Sequence, residues 1–397
     1  MPLRPRFATI LVLSLVGGFM SACSRPLKVV HQSWNARSAA AYLDQRENTW
    51  MGWPGAARDH GTFCVSCHTV VPYILSRPEL HELLGEQQNS DEERLIVENV
   101  RKRVLLWKEV APYYTDSGYA YNKPDESRGT ESVLNALILA SNDAQSGKLS
   151  DVTRTAFKNM WELQQTEGEA KGTWAWLQFG MEPWEAKDSR YYGAALAAIA
   201  VGIAPENYRL FPEIQVRLTL LRDYLDREAG QQSMMNRVAL LWAGSKLPGL
   251  IDAKQEHAII REVCDEQGAD GGWVLSSHVW PGTWNLRSIL KTRVRSDWSR
   301  QDQASDGYAT GLITYVLQEA GVSAQDEHLK RGLDWLQKNQ NSEDGSWPSV
   351  SLSQRRNPSS NVGHFMRDAA SAYAVLALTE RELKDGSRRD RSESARR

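Results

Sequence analysis

The chain has 397 residues, with 47 Lys plus Arg against 49 Asp plus Glu and a formal net charge of −2. That length supports a sizeable apolar core without disulfide staples, and the charge balance excludes a broad basic surface for nucleic acid. A hydrophobic content of 41% excludes a polytopic membrane protein, four cysteines are too few for a disulfide framework, and fifteen Trp against seven Phe point to large polar-edged rings at cavities or repeat junctions.

Residues 1–23 read as an export signal. Arg4 and Arg6 give a positive start, Phe7 to Phe19 form an apolar run too short to span a bilayer, and Met20-Ser21-Ala22 precedes Cys23. Met20 to Cys23 resembles the lipobox of bacterial lipoproteins. The resemblance implies lipidation of Cys23, contact with a membrane surface through that lipid, and work in the periplasm or on the periplasmic side of a bacterial membrane.

The segment 31–125 holds the most specific chemistry. Cys64-Val65-Ser66-Cys67-His68 has the Cys-x-x-Cys-His spacing in which two thiols form thioethers to a haem's vinyl groups and the next imidazole ligates the iron. The expected cofactor is therefore haem c, bound through Cys64 and Cys67, with His68 as the metal ligand. A zinc site needs about four ligands, and with Cys23 lipidated only Cys264 remains as a further thiol. A redox dithiol belongs at a strand-to-helix turn in an alternating pattern that is absent here. A structural disulfide between Cys64 and Cys67 stays open. The first Met beyond His68 is Met160, so the sixth position falls to His60, His81, His31, Met51 or nothing.

From 126 to 380, helical patterns alternate with Gly-rich turns, and the fold class predicted is all-α. Three turns are alike: Gln164 leads to Gly172-Thr173-Trp174, Gln267 to Gly271-Gly272-Trp273, and Gln340 to Gly345-Ser346-Trp347. Each predicts a helix ending at Gln, a tight Gly turn and a Trp plug. The gaps between these Trp residues, 273 − 174 = 99 and 347 − 273 = 74, place a degenerate unit around Pro212 to Trp242. Small-residue helices interleave at Glu131 to Ser141, Tyr191 to Val201, Met234 to Gly244, Tyr308 to Ala320 and Asp368 to Leu378.

These turns resemble the QW repeats of squalene-hopene cyclases and the wider prenyltransferase superfamily, which implies an α/α toroid of about five helical hairpins preceded by a small cytochrome c-like segment. The whole arrangement resembles a bacterial exported family that joins a haem c motif to such a repeat domain. The matching stretches are Cys64 to Tyr73, Arg128 to Glu131, Pro183 to Glu185, Ser305 to Gly311 and Phe365 to Ala370. The superfamily's chemistry does not carry over. No Asp-x-Asp-Asp acid string occurs, and Cys264 is followed at once by Asp265, without the spaced Asp-x-Cys of the prenyltransferase zinc set.

Candidate cavity residues cluster near the starts of the small-residue helices. Glu131, Glu185, Asp306 and Asp368 fall there with Arg128, Trp184, Tyr191, Tyr192, Tyr308, His364 and Arg367. If those helices form a ring, the acids would share one polar-lipped, aromatic pocket. Leu286 to Gln303 reads as a surface excursion or lid, and 381–397 as a disordered charged tail. The expected function is electron transfer by a lipid-anchored haem protein whose toroid binds a small hydrophobic molecule, isoprenoid or quinone-like, or which meets a redox partner protein. The alternatives are a toroid enzyme, terpene cyclase-like or polysaccharide lyase-like, and a haem or gas sensor.

Overall fold

A computed structural model describes residues 34–115, 123–278, 304–353 and 355–394. Cys23, His31 and the 286–303 excursion lie outside these residues. Those from Ser33 onward form one compact unit. The molecule is mostly helical, and among the described residues the β-structure is one antiparallel pair of two-residue strands, β1 (Ala57–Arg58) and β2 (Thr62–Phe63), with an isolated bridge between Met181 and Glu185.

The helices run in outer-inner pairs. The outer members are α1 (Ala36–Met51), α4 (Asp91–Leu105), α6 (Asp151–Glu162), α8 (Gln215–Glu228), α10 (Ala253–Asp265) and α13 (Glu327–Lys338). The inner members are α2 (Val70–Ser76), α5 (Lys123–Ser146), α7 (Ser189–Ile203), α9 (Met234–Lys246), α12 (Gly307–Glu319) and α14 (Asn361–Ser394), while α3 (Glu79–Leu84) and α11 (Leu275–His278) are short connectors. The inner helices touch in the cycle α2, α5, α7, α9, α12, α14 and back to α2, so the ring closes. Their interiors are almost wholly small or apolar: Ala194 to Val201 of α7 and Ala369 to Leu378 of α14 are buried throughout. Helices packed on every side need such surfaces.

The Gln-Gly-Trp turns do the same mechanical work three times. Trp174, Trp273 and Trp347 are fully buried, and their indole N–H groups donate to carbonyls near the end of the preceding outer helix, at Met160 (2.6 Å), Val263 (2.8 Å) and Leu336 (2.7 Å). The Gln amide donates both to the carbonyl of its own turn and to the next outer element: Gln164 to Gly172 and Arg217, Gln267 to Gly271 and His328, Gln340 to Gly345 and Asn35. Each repeat thereby satisfies carbonyls that a helix or turn would otherwise leave unpaired. Gly172 has φ +101°, and a Cβ there would lie 2.1 Å from the Leu220 carbonyl oxygen of α8. Gly172→Ala is therefore expected to destabilise by at least about 2 kcal/mol through both strain and overlap, read as a lowered urea midpoint with unchanged slope.

Two expectations need correction. The hairpins number six among the described residues, not five, because the segment read as a separate haem module supplies α1 and α2. Gln340 reaches Asn35, the N-cap of α1, as the other two glutamines reach α8 and α13, so α1 takes the next outer place in the ring. The tail read as disordered is helical as far as Ser394. It continues α14 without a proline, and a helix already nucleated by packing propagates readily through charged residues.

Candidate functional site

The Cys64-to-His68 loop joins β2 to inner helix α2, at the ring's mouth formed by the N-terminal ends of the inner helices. Its path is fixed by local bonds. The Cys64 N–H donates to Ala56 O (2.8 Å), Trp50 Nε1 donates to Cys64 O (2.8 Å), and Ser66 Oγ accepts from the N–H groups of Thr69 and Val70 at the start of α2. Cys64 and Cys67 are both buried and both free, with no disulfide between them. Burial pushes the Cys64 thiol up to about 12 and the Cys67 thiol well above its usual value. Both are protonated at neutral pH, which disfavours thiolate nucleophile chemistry.

His68 is 3% exposed. The Phe365 ring of α14 lies flat against its imidazole with centroids 3.6 Å apart, Trp50 meets it edge-on at 5.1 Å, and Trp184 stands 5.6 Å away. Thr69 Oγ1 donates to Asp368 Oδ2 (3.1 Å) and lies 2.9 Å from His68 Nδ1. Since the hydroxyl proton goes to the carboxylate, Oγ1 accepts from Nδ1–H, and Nε2 keeps its lone pair. Burial lowers the His68 pKa to about 3, with Arg46 adding to the effect, so the ring is neutral across ordinary pH.

The four acids divide by role. Asp368 accepts two bonds from Arg46 (2.9 and 3.2 Å) and one each from Tyr42 and Thr69; burial raises its pKa and these partners oppose the rise. Glu131 is fully buried against Arg103 (2.5 and 3.1 Å), with Arg128 at 3.4 Å. Arg128 also donates to Val110 O and covers Trp107. Asp306 caps α12, accepting from Tyr308 N, Ala309 N, Leu275 N and Ser349 Oγ, and burial lifts it to about 6. These three acids hold the ring together. Glu185, which precedes α7, is different: burial raises it to about 7, with Lys123 opposing, and its charge is felt at both Cys64 and Cys67.

Of the other predicted residues, Tyr191 turns outward to donate to Leu225 O (2.7 Å), and Arg367 lies 3.8 Å from Asp344. His364 is half-buried with Nδ1 unpartnered. Trp184, Tyr308, Tyr192 and Tyr373 pack together: Trp184 meets Tyr308, Tyr308 meets Tyr373, and the Tyr192 and Tyr373 hydroxyls are 3.4 Å apart. Two sixth-ligand candidates are held elsewhere, His60 by Asp59 at 3.2 Å and His81 by Glu93 at 2.9 Å, while Met51 is half-buried at the end of α1. Sequence reasoning missed Trp50, Thr69, Tyr373, and Phe365 as a ring partner. Thr69 alone carried a signal, its place directly after His68. Among the described residues no cluster of three His, Cys, Asp or Glu side chains is arranged to hold a metal ion.

The raised Glu185 gives a pH signature. In the fold it keeps its proton up to about 7, whereas the unfolded side chain releases it near 4.5. Its contribution to stability is complete below 4.5 and is lost as pH rises through 7, by about 3 kcal/mol in order of magnitude. Glu185→Gln is expected to match the native chain below pH 4.5 and to exceed it in urea resistance at pH 8; equal midpoints at pH 8 would contradict this environment.

No family model and no curated protein matches the chain. Among solved structures it is similar to a glycosidase variant in complex with glucose, at 12% identity and TM-score 0.46, over 87% of this chain and 97% of that one. A second glycosidase variant aligns with TM-score 0.46 and 11% identity, over 87% of this chain and 97% of that one. A UGL variant with a dGlcA-Glc-Rha-Glc oligosaccharide gives TM-score 0.46 and 11% identity, over 86% of this chain and 95% of that one.

Proposed function

We propose that this chain is an exported, lipid-anchored c-type haem protein that transfers electrons, and that its helical ring binds a small isoprenoid- or quinone-like molecule. The observation that carries the reading is the Cys64-to-His68 loop: two unbonded thiols flank a turn, and the adjoining imidazole has Nδ1 engaged by Thr69, leaving Nε2 for a metal. The donor types suit the group, while the loop as folded is closed: Cys64, Cys67 and His68 are 4%, 1% and 3% exposed and Phe365 covers the imidazole, so attachment requires this loop to open. Each thiol can add its S–H across a vinyl double bond, and an imidazole oriented through its other nitrogen is the usual state of a ligating histidine. When bound, the haem supplies one-electron exchange at iron. Cys64 and Cys67 would hold the porphyrin, His68 would ligate the iron, and the Thr69–Asp368–Arg46 chain positions that ligand. Phe365, Trp50 and Trp184 keep water from the imidazole faces. The test is a reduced-minus-oxidised spectrum of protein purified from a strain competent in c-type haem maturation: a sharp α-band supports the reading, and its absence from matured material refutes it.

A second reading, a toroid enzyme, is favoured by Glu185. A buried carboxyl that keeps its proton to about pH 7 suits a general acid. Turnover of an oligosaccharide or a polyprenyl substrate that disappears in Glu185→Gln, with the haem spectrum unchanged, would favour this reading over electron transfer.

A further inference from the structure

The C-terminal ends of five inner helices surround an open cavity of about 310 Å³. Leu75 of α2, Gln145 of α5, Ile203 of α7, Lys246 of α9 and Tyr315 of α12 all line it, each within five residues of its helix's end. The lining is graded. Ile199, Trp242 and Tyr315 are buried and form the floor, whereas Glu79 and Gln145 are exposed and mark the opening. The two floor rings stand nearly perpendicular, 86° apart, with centroids separated by 5.6 Å. At the opening Glu79 lies near Lys246, which is itself ion-paired with Glu319. Loss of water at the Glu79 carboxyl raises its pKa; Glu380, Glu319 and Glu82 raise it further, and Lys246 opposes the rise. Among the groups acting on Glu79, three carboxylates thus face one ammonium. The unpaired carbonyls at the helix ends add partial negative charge.

We propose that this cavity binds a small organic ammonium ion with an apolar, ring-bearing body, the ring inserted first and the nitrogen held at the opening by Glu79. The site lies at the opposite mouth of the ring from the Cys64-to-His68 loop and does not rest on the haem reading. Its orientation follows from the grading of the lining. A ring on the floor exchanges water for Ile199 and the Trp242 and Tyr315 surfaces. The ammonium stays where carboxylate and water both reach it, so no charge is buried without a partner. Lys246 is engaged by Glu319, which leaves the Glu79 carboxylate for the ligand. An anion of the same size would meet the carboxylates and the negative helix ends. A lipid headgroup would have to enter charge first, against the apolar floor. The volume stands at the lower end of the roughly 300–1,000 Å³ of ligand pockets, so the ligand is small.

Calorimetric titration of the full chain with phenethylammonium is expected to give one saturable site. Phenethyl alcohol, neutral on the same skeleton, and the anion phenylacetate are expected to bind at least tenfold more weakly. Glu79→Gln is expected to weaken the cation at least tenfold and to leave the alcohol unchanged; the side chain is exposed, so the fold does not depend on it. Ile203→Phe, which fills the cavity from a half-buried helix end, is expected to abolish binding of the cation. No saturable binding of phenethylammonium, or equal affinity in Ile203→Phe and the native chain, overturns the cavity assignment. Equal affinities for cation and alcohol, or an unchanged affinity in Glu79→Gln, overturn the preference for an ammonium ion, and Glu79→Gln decides alone if Ile203→Phe does not fold. A matured chain without haem refutes the electron-transfer reading and leaves this site to be decided by calorimetry.

Discussion

Cys64→Ala with Cys67→Ala is expected to abolish covalent haem entirely, so that a denaturing gel of the matured double variant shows no haem stain while the native chain stains fully. Alanine is the informative replacement. Both thiols are buried, and alanine removes the sulfur without placing a hydroxyl in the core. The readout is taken on unfolded chains, so a loss of stability in the variant does not mimic the result. Either single substitution leaves one thioether and is expected to keep stain at a reduced level. His68→Ala is expected to keep the attachment and displace the absorption bands, because it removes the iron's ligand and leaves both sulfurs. Stain retained by the double variant would show that Cys64 and Cys67 do not hold the group.

The largest effect on stability is expected from Arg103→Met. Arg103 is wholly buried and donates to Glu131 twice, to Thr62 Oγ1 (2.8 Å) and to Ala111 O (2.9 Å), with its guanidinium over Tyr113. Removing it leaves the Glu131 carboxyl in the core without its main counter-charge, at a cost of about 3–5 kcal/mol. Combining Arg103→Met with Glu131→Leu is expected to restore much of that loss, since the stranded charge goes as well. Urea unfolding of the two single variants and the double closes the cycle, and additive losses would contradict direct coupling. The pair also matters to the site. Arg103 ties α4 to Thr62, two residues before Cys64, so the single variant is expected to lower haem occupancy as well.

The legible parts of the fold were those with a local cause. Trp174, Trp273 and Trp347 announce themselves through nearby Gln and Gly, because one turn must seat the indole and pass close to the next helix within a few residues. The sixth hairpin had no such mark. In α1 and α2 the Gln-Gly-Trp turn is replaced by the cysteine loop, and the link that places α1 is Gln340 to Asn35, 305 positions apart. The acids were misread for the same reason. Asp368 lies at a helix start as a rim acid would, yet its partners Arg46 and Tyr42 are 322 and 326 residues away. Glu185 differs from the other three in that only Lys123 opposes the rise that burial gives it. The aromatic cluster was equally hidden, since Trp184, Tyr192, Tyr308 and Tyr373 come from separate parts of the chain and meet only when the ring closes.

The central claim is that a haem is bonded to this polypeptide. Its most direct test is the intact mass of the matured protein, measured under denaturing conditions that release any group not covalently held. The predicted result is the mass of the processed chain plus one haem. A mass equal to the processed polypeptide alone would contradict the account.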